Sequence, residues 1–81
     1  MYTVYVIKSL KSGKKYVGFT SKSVAERLKE HNRGCNKWIK ENKPFKLLYY
    51  EDFKSEQIAR KRERFFKTGK GREVLTKLIP A

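Results

Sequence analysis

The chain contains one cysteine, two prolines and only eight acidic residues among its 81 residues. A single cysteine, Cys35, cannot form an intramolecular disulfide, so we expect a reduced, cytoplasmic environment. No segment approaches the roughly 18 consecutive apolar residues that a membrane span requires. Residues 1–7 lack a basic region ahead of their short apolar run and lack a small-residue cleavage site. They therefore predict a first strand and not a signal peptide.

Repeats, low-complexity tracts and linkers rich in proline, glycine or serine are also missing from the sequence. Pro44 precedes a predicted strand, and Pro80 follows the last predicted helix. A length of 81 residues suits one domain, so we expect residues 1–81 to form a single compact unit. A domain of this size buries only about 60% of the surface that its unfolded chain exposes, which leaves a small margin of stability.

Charge is the strongest compositional signal. Twenty-one lysines and arginines against eight acidic residues give a formal net charge of +13. Such an excess attracts polyanions over long distances, and the nucleic acid backbone is the commonest partner of this kind. A solvated basic surface that only maintains solubility is the alternative. We expect a monomer that binds DNA, with RNA as the alternative substrate, and no membrane binding, because no helix combines a broad apolar face with a basic one.

Three strands are predicted. Residues 2–7 and Lys15–Thr20 are rich in tyrosine, valine and isoleucine, and the glycine-containing turn between them predicts a β-hairpin. Both alternating sets of side chains in residues 2–7 are apolar, so this strand should lie in the middle of its sheet. The third strand is predicted over Phe45–Phe53.

Three helices complete the predicted fold. Ser23 and Glu26 form a capping box that begins a helix running to about Arg33, which Gly34 ends. A second helix is predicted over residues 55–67, a break over 68–71 and a short last helix over 72–79. The order β-β-α-β-α-α predicts an α/β (α+β) domain, a small three-stranded antiparallel sheet flanked by helices.

The first helix carries two residues of chemical interest. Arg27 and His31 are four residues apart and lie on one flank of the apolar stripe that Val24 and Leu28 define. A cation beside the single histidine could handle a phosphate, but a surface arginine near an incidental histidine has the same spacing. His31 and Cys35 would supply only two ligands, so we expect Cys35 to have no role in metal binding.

The second helix is basic and carries one acid in its middle. Its buried side is predicted to include Ile58, Ala59, Phe65 and Phe66, and Arg62 falls among them, so its stem must be buried or its charge paired. Glu63 lies at the edge of that side. It could form an (i, i+4) pair with the lysine one turn later, or hold a hard divalent cation, which prefers oxygen ligands.

Two tyrosines point to a family. Thr3-Val4-Tyr5, followed eleven residues on by Tyr16-Val17-Gly18, resembles the paired motif of the GIY-YIG endonucleases. That superfamily includes intron-homing nucleases, some restriction enzymes and the N-terminal domain of the bacterial excision-repair incision protein. Arg27 and His31 match its R-x-x-x-H helix, and Glu63 matches its metal-binding glutamate. The resemblance covers nearly the whole chain, which is most similar to small stand-alone bacterial members. Thr3-Val4 replaces the Gly-Ile of the motif, and no asparagine follows Glu63.

The resemblance implies a metal-dependent endonuclease that hydrolyses phosphodiester bonds in DNA, with a role in repair or recombination. One Mg²⁺ or Mn²⁺ held by Glu63 would act on the scissile phosphate, and Arg27 would bind its oxygens. Tyr5 would take a proton from the attacking water, and Tyr16 and His31 would relay or orient that proton. Two rival hypotheses remain: a nucleic-acid-binding module without catalysis, and a protein-interaction domain for an acidic partner.

Eight further side chains are candidates for contacts with the substrate: Lys22, Arg33, Lys37, Trp38, Lys40, Arg60, Lys61 and Arg64. Trp38 could stack on an exposed base, although a lone tryptophan in a small domain is more often part of the core. No segment has the pattern of a base-reading helix. We therefore expect selectivity for a DNA structure, such as a flap, nick, branch or single strand, and not for a sequence.

Overall fold

The computed structural model describes residues 1–34 and 37–79, without the side chain of Trp38. It contains strands β1 (Tyr2–Ser9), β2 (Lys15–Thr20) and β3 (Phe45–Phe53), and helices α1 (Val24–Arg33), α2 (Lys37–Asn42), α3 (Glu56–Phe66) and α4 (Gly69–Leu78). The predicted fold, a three-stranded antiparallel sheet flanked by helices, is confirmed. The short helix α2 between α1 and β3 is an addition. Within the described ranges, every helix is too short or too polar to cross a membrane.

The strand order is β2-β1-β3, with both pairings antiparallel, so the prediction that the first strand is central is confirmed. The register places Tyr5 opposite Gly18 and Ile7 opposite Tyr16. Since successive side chains of a strand point to opposite faces, β1 contributes to two separate cores.

One face of the sheet is covered by α3 and α4. Val4 and Val6 of β1 pack there against Ala59 and Phe66 of α3 and Leu75 of α4. All five side chains are at most 5% exposed. Among the residues that the structure describes, this face holds the larger apolar cluster, which fixes the position of α3 against β1 and β2.

The opposite face is covered by α1 and α2. Tyr5 and Ile7 pack there against Ile39 and Phe45, with Val24 and Leu28 of α1 at the margin. The predicted limits of α1 are confirmed. The Ser23 side chain accepts a hydrogen bond from the amide of Glu26, and Gly34 ends the helix with a left-handed φ of 85°.

The predicted break between the last two helices is wrong in extent. Helix α4 begins at Gly69, three residues before the predicted start, and Thr68 is its N-cap. Two glycines suggested a loop because glycine disfavours helix interiors. The structure shows another reason for one of them: a Cβ on Gly71 would lie 1.9 Å from the carbonyl oxygen of Phe65. Gly71 therefore allows α4 to approach the end of α3 closely.

The buried side of α3 also differs from the prediction at one position. Ile58 is 56% exposed, because Ala59, Arg62 and Phe66 form the stripe that faces the sheet. The prediction for Arg62 is confirmed, since its charge is paired and its guanidinium is covered. It donates to both carboxylate oxygens of Glu51, at 2.8 and 3.1 Å, and lies 4.3 Å from the ring centre of Phe66.

Candidate active site

The side chain of Tyr5 lies across the backbone of the neighbouring strand. Tyr5 is paired with Gly18 of β2, and a Cβ built on Gly18 would lie 2.3 Å from both Cζ and the hydroxyl oxygen of Tyr5. Any other residue at position 18 would collide with the ring. The group that approaches the backbone at Gly18 so closely is the ring of Tyr5. The phenol is thereby directed from the central strand over β2, the edge strand.

The hydroxyl of Tyr5 meets two side chains from α1. It shares a hydrogen bond of 2.7 Å with Nε2 of His31 and accepts a longer one, of 3.4 Å, from Nε of Arg27. Arg27 and His31 are one helical turn apart, so both reach the same point on β1. Tyr5 and His31 are each 1% exposed. Three of the predicted catalytic residues are thus in direct contact.

His31 is enclosed by aromatic rings. The ring centres of Tyr16, Tyr5 and Phe45 lie 5.5, 5.7 and 5.9 Å from its own, all in edge-to-face arrangements. Burial lowers the pKa of His31 below its ordinary value of 6.5, and the charge of Arg27 lowers it further, against an opposing effect of Glu30. The imidazole is therefore neutral at pH 7. Its Nδ1 is buried and has no hydrogen-bond partner within residues 1–34 and 37–79.

Glu30 belongs to the site and was not identified from the sequence. Its two carboxylate oxygens accept from Nζ of Lys22 at 2.7 Å and from NH1 of Arg27 at 2.6 Å. Both hydrogen bonds lower the pKa of Glu30 below its ordinary value of 4.5, and the bond from Lys22 has the larger effect. The spacing of three residues between Arg27 and Glu30 was an available signal, but it is also that of an ordinary helix ion pair.

Glu63 lies on α3, which covers the other face of the sheet. Its carboxylate accepts from Nζ of Lys67 at 3.2 Å, so the (i, i+4) pair expected as one alternative is present. One turn earlier, the Arg60 guanidinium lies 4.6 Å from the ring centre of Phe19 in β2, and one turn later Lys67 lines a cavity together with Tyr16. Glu63 therefore lies along edge strand β2 on the face of the sheet opposite to Tyr5, and the structure does not bring it into contact with Tyr5, Arg27 or His31.

The donor atoms near Glu63 limit the kind of metal site that could form. No group of three or more histidine, cysteine, aspartate or glutamate side chains occurs in the described part of the chain. Glu63 is 19% exposed, whereas its partner Lys67 is 52% exposed and can swing away. Magnesium is commonly held by one or two carboxylates together with water and substrate phosphates. The donor set fits a hard divalent ion bound with the substrate, and it does not fit a preformed cage.

The predicted nucleic acid contacts fall into two groups on opposite sides of the sheet. On the side of α1 and α2 are Lys22, Arg33, Lys37 and Lys40, and on the side of α3 are Arg60, Lys61 and Arg64. All seven are exposed. Lys22 pairs with Glu30, and Arg60 pairs with Glu56 at 3.1 Å. The side chain of Trp38 lies outside the described part of the structure, and so does Cys35.

Comparison with known proteins identifies the family. The sequence model of the GIY-YIG catalytic domain matches residues 1–76, which include all three strands and most of the last helix. A UPF0213 protein, CPE1444, of Clostridium perfringens (strain 13 / Type A) is 37% identical over 68 residues, which are 83% of this chain and 71% of that protein. No solved structure matches. The chain therefore belongs to the GIY-YIG family, whose catalytic domains are endonucleases that act on DNA.

Proposed function

We propose that this chain is itself a metal-dependent endonuclease that hydrolyses phosphodiester bonds in DNA and selects its substrate by structure. One observation carries the proposal. The Tyr5 hydroxyl lies between a neutral imidazole, at 2.7 Å from Nε2 of His31, and a guanidinium, at 3.4 Å from Nε of Arg27. A hydroxyl with a proton acceptor on one side and a fixed cation on the other is equipped to take a proton from an attacking water.

The proton moves in two linked transfers. As water attacks the phosphorus, the oxygen of Tyr5 accepts a proton from that water, and the bond to the leaving oxygen breaks. The leaving oxygen takes a proton from solvent water. The hydroxyl proton of Tyr5 passes at the same time to Nε2 of His31. This requires the tautomer that carries its proton on Nδ1, the atom with no partner in the described residues. The lowered pKa of His31 keeps Nε2 available as an acceptor near pH 7. It also favours release of the proton from His31 back to Tyr5 after each turnover.

Arg27 would also bind the scissile phosphate. Its Nε is directed at Tyr5, while its NH1 is bound to Glu30. A guanidinium presents five donors in a planar fork, so Arg27 can keep its contact with Tyr5 and bind a non-bridging oxygen of the scissile phosphate. A donor fixed in this way stabilises the charge that develops in the transition state. Lys22, which shares Glu30 with Arg27, lies beside the same anion site.

Glu63 would hold the Mg²⁺ or Mn²⁺ ion. When bound, the ion supplies charge neutralisation at the scissile phosphate and at the leaving oxygen. The contribution of the protein is a single carboxylate that α3 holds rigidly, on a side chain that is largely covered. Lys67 donates a hydrogen bond to that carboxylate and would be displaced by the ion.

A binding module without catalysis is the second candidate, and one observation favours it. Tyr5 and His31 are each 1% exposed, and a buried tyrosine–histidine hydrogen bond is also what a purely structural core requires. In that case the formal charge of +13 would serve DNA binding alone. The two candidates differ in whether removal of the Tyr5 hydroxyl affects a chemical step.

Cleavage of branched, nicked, single-stranded and fully paired DNA, with and without Mg²⁺ or Mn²⁺, tests the proposal. Tyr5→Phe keeps the ring over Gly18 and removes only the hydroxyl, so cleavage should fall by a factor on the order of 10² to 10⁴ while DNA binding is retained. Tyr50→Phe, at a side chain that is 50% exposed, is the matched control and should cleave normally. Wild-type protein that cuts none of these DNAs would favour the binding module.

A further inference from the structure

A cavity of about 630 Å³ lies beside the site and has no part in the chemistry described above. It is bounded by the turn between β1 and β2, by β2 itself, by the end of α3 and by α4. We call it the β2–α4 cavity. Its volume is in the range of about 300 to 1,000 Å³ that is typical of sites for small organic groups.

The lining of the β2–α4 cavity combines an apolar floor with a cationic rim. The apolar floor consists of the half-buried Val17 with the buried Phe66 and Leu75, and Lys15 and Arg72 stand exposed at the opening. None of the lining residues is acidic. Within residues 1–34 and 37–79, neither Lys15 nor Arg72 forms an ion pair with a carboxylate. The ligand that suits this lining has an apolar part for the floor and a negative charge for the rim.

Two residues connect the β2–α4 cavity to the active site. Tyr16 lines the cavity, and its ring centre lies 5.5 Å from that of His31. Lys67 lines the cavity too, and its ammonium group is bound to the carboxylate of Glu63. An occupant of the cavity would therefore lie near His31, the proposed proton acceptor, and near Glu63, the proposed metal ligand.

A nucleotide meets these requirements. Its base is a flat, weakly polar group that can lie on an apolar floor, and its phosphates carry the charge that the rim attracts. A paired base cannot enter, because it is held inside the duplex stack, and unpaired nucleotides cost least to turn outwards. A phosphate alone would leave the apolar floor without a partner.

We propose that the β2–α4 cavity binds one unpaired nucleotide of the DNA strand that enters the active site, with its base against the half-buried Val17 and its phosphates at Lys15 and Arg72. This inference rests on the proposed function and deepens it. The cavity supplies a physical basis for the selection of DNA structure over sequence, since it recognises a missing base pair and not the identity of a base.

The affinity of the protein for DNA in EDTA, measured by fluorescence anisotropy, tests whether the cavity binds an unpaired nucleotide. Two DNAs are compared: a duplex with a short single-stranded extension and the fully paired duplex. Thr76→Phe fills the opening without changing the charge, since Thr76 is an exposed lining residue. Arg72→Gln removes one rim cation. Thr76→Phe should weaken binding of the extended DNA by about 5- to 10-fold, as expected for loss of one base contact. Arg72→Gln should weaken it by about 2- to 10-fold, as expected for loss of one phosphate contact. Lys77→Gln, an exposed charge on α4 outside the lining, is the matched control and should weaken both DNAs equally and slightly.

The outcomes separate this inference from the proposed function. Thr76→Phe protein that binds the extended DNA as tightly as wild type overturns the cavity proposal, even if Arg72→Gln weakens binding. A poly-glutamate peptide that competes as well as a thymidine oligonucleotide of equal charge also overturns it, in favour of an acidic protein partner. A protein that binds the extended DNA selectively but cuts no DNA would refute the proposed endonuclease activity and support the cavity proposal. A protein that cuts DNA but does not bind the extended DNA selectively would support the endonuclease activity and refute the cavity proposal.

A second measurement covers the case in which Thr76→Phe does not fold. Titration of the wild-type protein with a thymidine oligonucleotide should shift the amide resonances of Val17, Arg72 and Thr76. The resonance of Lys77, on the other side of α4, should move less. Equal shifts at all four positions would overturn the cavity proposal, because they would indicate a diffuse electrostatic contact and not an occupied cavity.

Discussion

The hydroxyl of Tyr5 and Nε2 of His31 lie 2.7 Å apart, although the two residues are separated by 26 positions in the sequence. Two independent features bring them together. The absence of a side chain at Gly18 lets the Tyr5 ring extend over β2, and α1 presents His31 to the same face of the sheet. Because both groups are buried, their hydrogen bond is shielded from water and its geometry is fixed by packing. The pH dependence of cleavage should report on this pair.

The rate of cleavage should depend on the neutral form of His31. Protonation would remove the acceptor for the Tyr5 proton, so the rate should fall as the pH falls through the pKa of His31. Burial, and then the charge of Arg27, lower that pKa, while Glu30 opposes them, so the midpoint of the fall should lie below the ordinary value of 6.5. Arg27→Gln should shift the midpoint of this fall towards higher pH, because the charge of Arg27 lowers the pKa of His31. A pH–rate profile of the wild type whose midpoint lies above pH 6.5 would contradict this role of His31.

Glu30 occupies the cations that are proposed to bind phosphate. Glu30→Gln removes the negative charge beside Lys22 and Arg27, so DNA binding at low salt should tighten by a factor of about 2 to 10, comparable to the gain of one phosphate contact. Glu26→Gln is the matched control, because it removes the same charge from an exposed position on the same helix. Binding measured over a range of salt concentrations gives the comparison. Weaker binding by Glu30→Gln would instead assign Glu30 to the positioning of Arg27.

The pair between Arg62 and Glu51 should contribute to stability away from the active site. Burial raises the pKa of Glu51, but hydrogen bonds from Arg62 and Tyr49 outweigh it and leave the pKa below its ordinary value of 4.5. A lowered folded-state pKa means that this stabilisation is complete above about pH 4.5 and is lost as the pH falls through the folded-state value. Glu51→Gln should reduce the free energy of unfolding at pH 7 by about 1 to 3 kcal/mol, as for hydrogen bonds to charged groups.

Chemical denaturation at pH 7 and at pH 3.5 measures that contribution. The difference between wild type and Glu51→Gln should shrink at the lower pH, because protonation of the Glu51 carboxylate in the unfolded wild type then reduces the stability that the pair contributes. Glu56→Gln removes an exposed partner of Arg60 and serves as the control, with an expected change of a few tenths of a kcal/mol. An equal effect of the two substitutions would show that burial of the Glu51 pair adds nothing.

Local sequence signals were sufficient for most of the fold. The Ser23 cap and Gly34 fixed both ends of α1, and the apolar pattern of β1 placed it at the centre of the sheet. Ile58 and α4 were misjudged because hydrophobicity and glycine content are local measures, whereas the packing of α3 against the sheet and against α4 decided both cases.

The geometry of the site was harder to predict from the sequence than the fold. The family motif named Tyr5, Arg27 and His31, but their contacts depend on the register that sets Tyr5 opposite Gly18 and on the depth at which α1 packs. Glu30 was missed because an acid three residues after an arginine is common on helices that bind nothing. Only the structure shows that its carboxylate spans two cations from different segments.

Glu63 gives the sharpest test of the mechanism, because α3 contains its own control. Glu63 pairs with Lys67 at 3.2 Å, and Glu56 pairs with Arg60 at 3.1 Å with the same spacing on the same helix. If both are only helix ion pairs, Glu63→Gln and Glu56→Gln should each cost a few tenths of a kcal/mol and leave cleavage unchanged. If Glu63 holds the metal, its substitution alone should abolish cleavage in Mg²⁺ or Mn²⁺ while the protein remains folded.

DNA binding without metal separates a lost metal ligand from a damaged surface. Glu63→Gln removes a negative charge and releases Lys67, so binding in EDTA should stay constant or tighten. Loss of cleavage together with weaker binding would indicate a disturbed α3 and not a missing ligand, and circular dichroism would show it. Glu63→Gln protein that cuts DNA at the wild-type rate in either metal would refute the assignment of Glu63. The Tyr5–His31 pair would then have to act on a phosphate neutralised by Arg27 and Lys22 alone, which Arg27→Ala in the Glu63→Gln background would test directly.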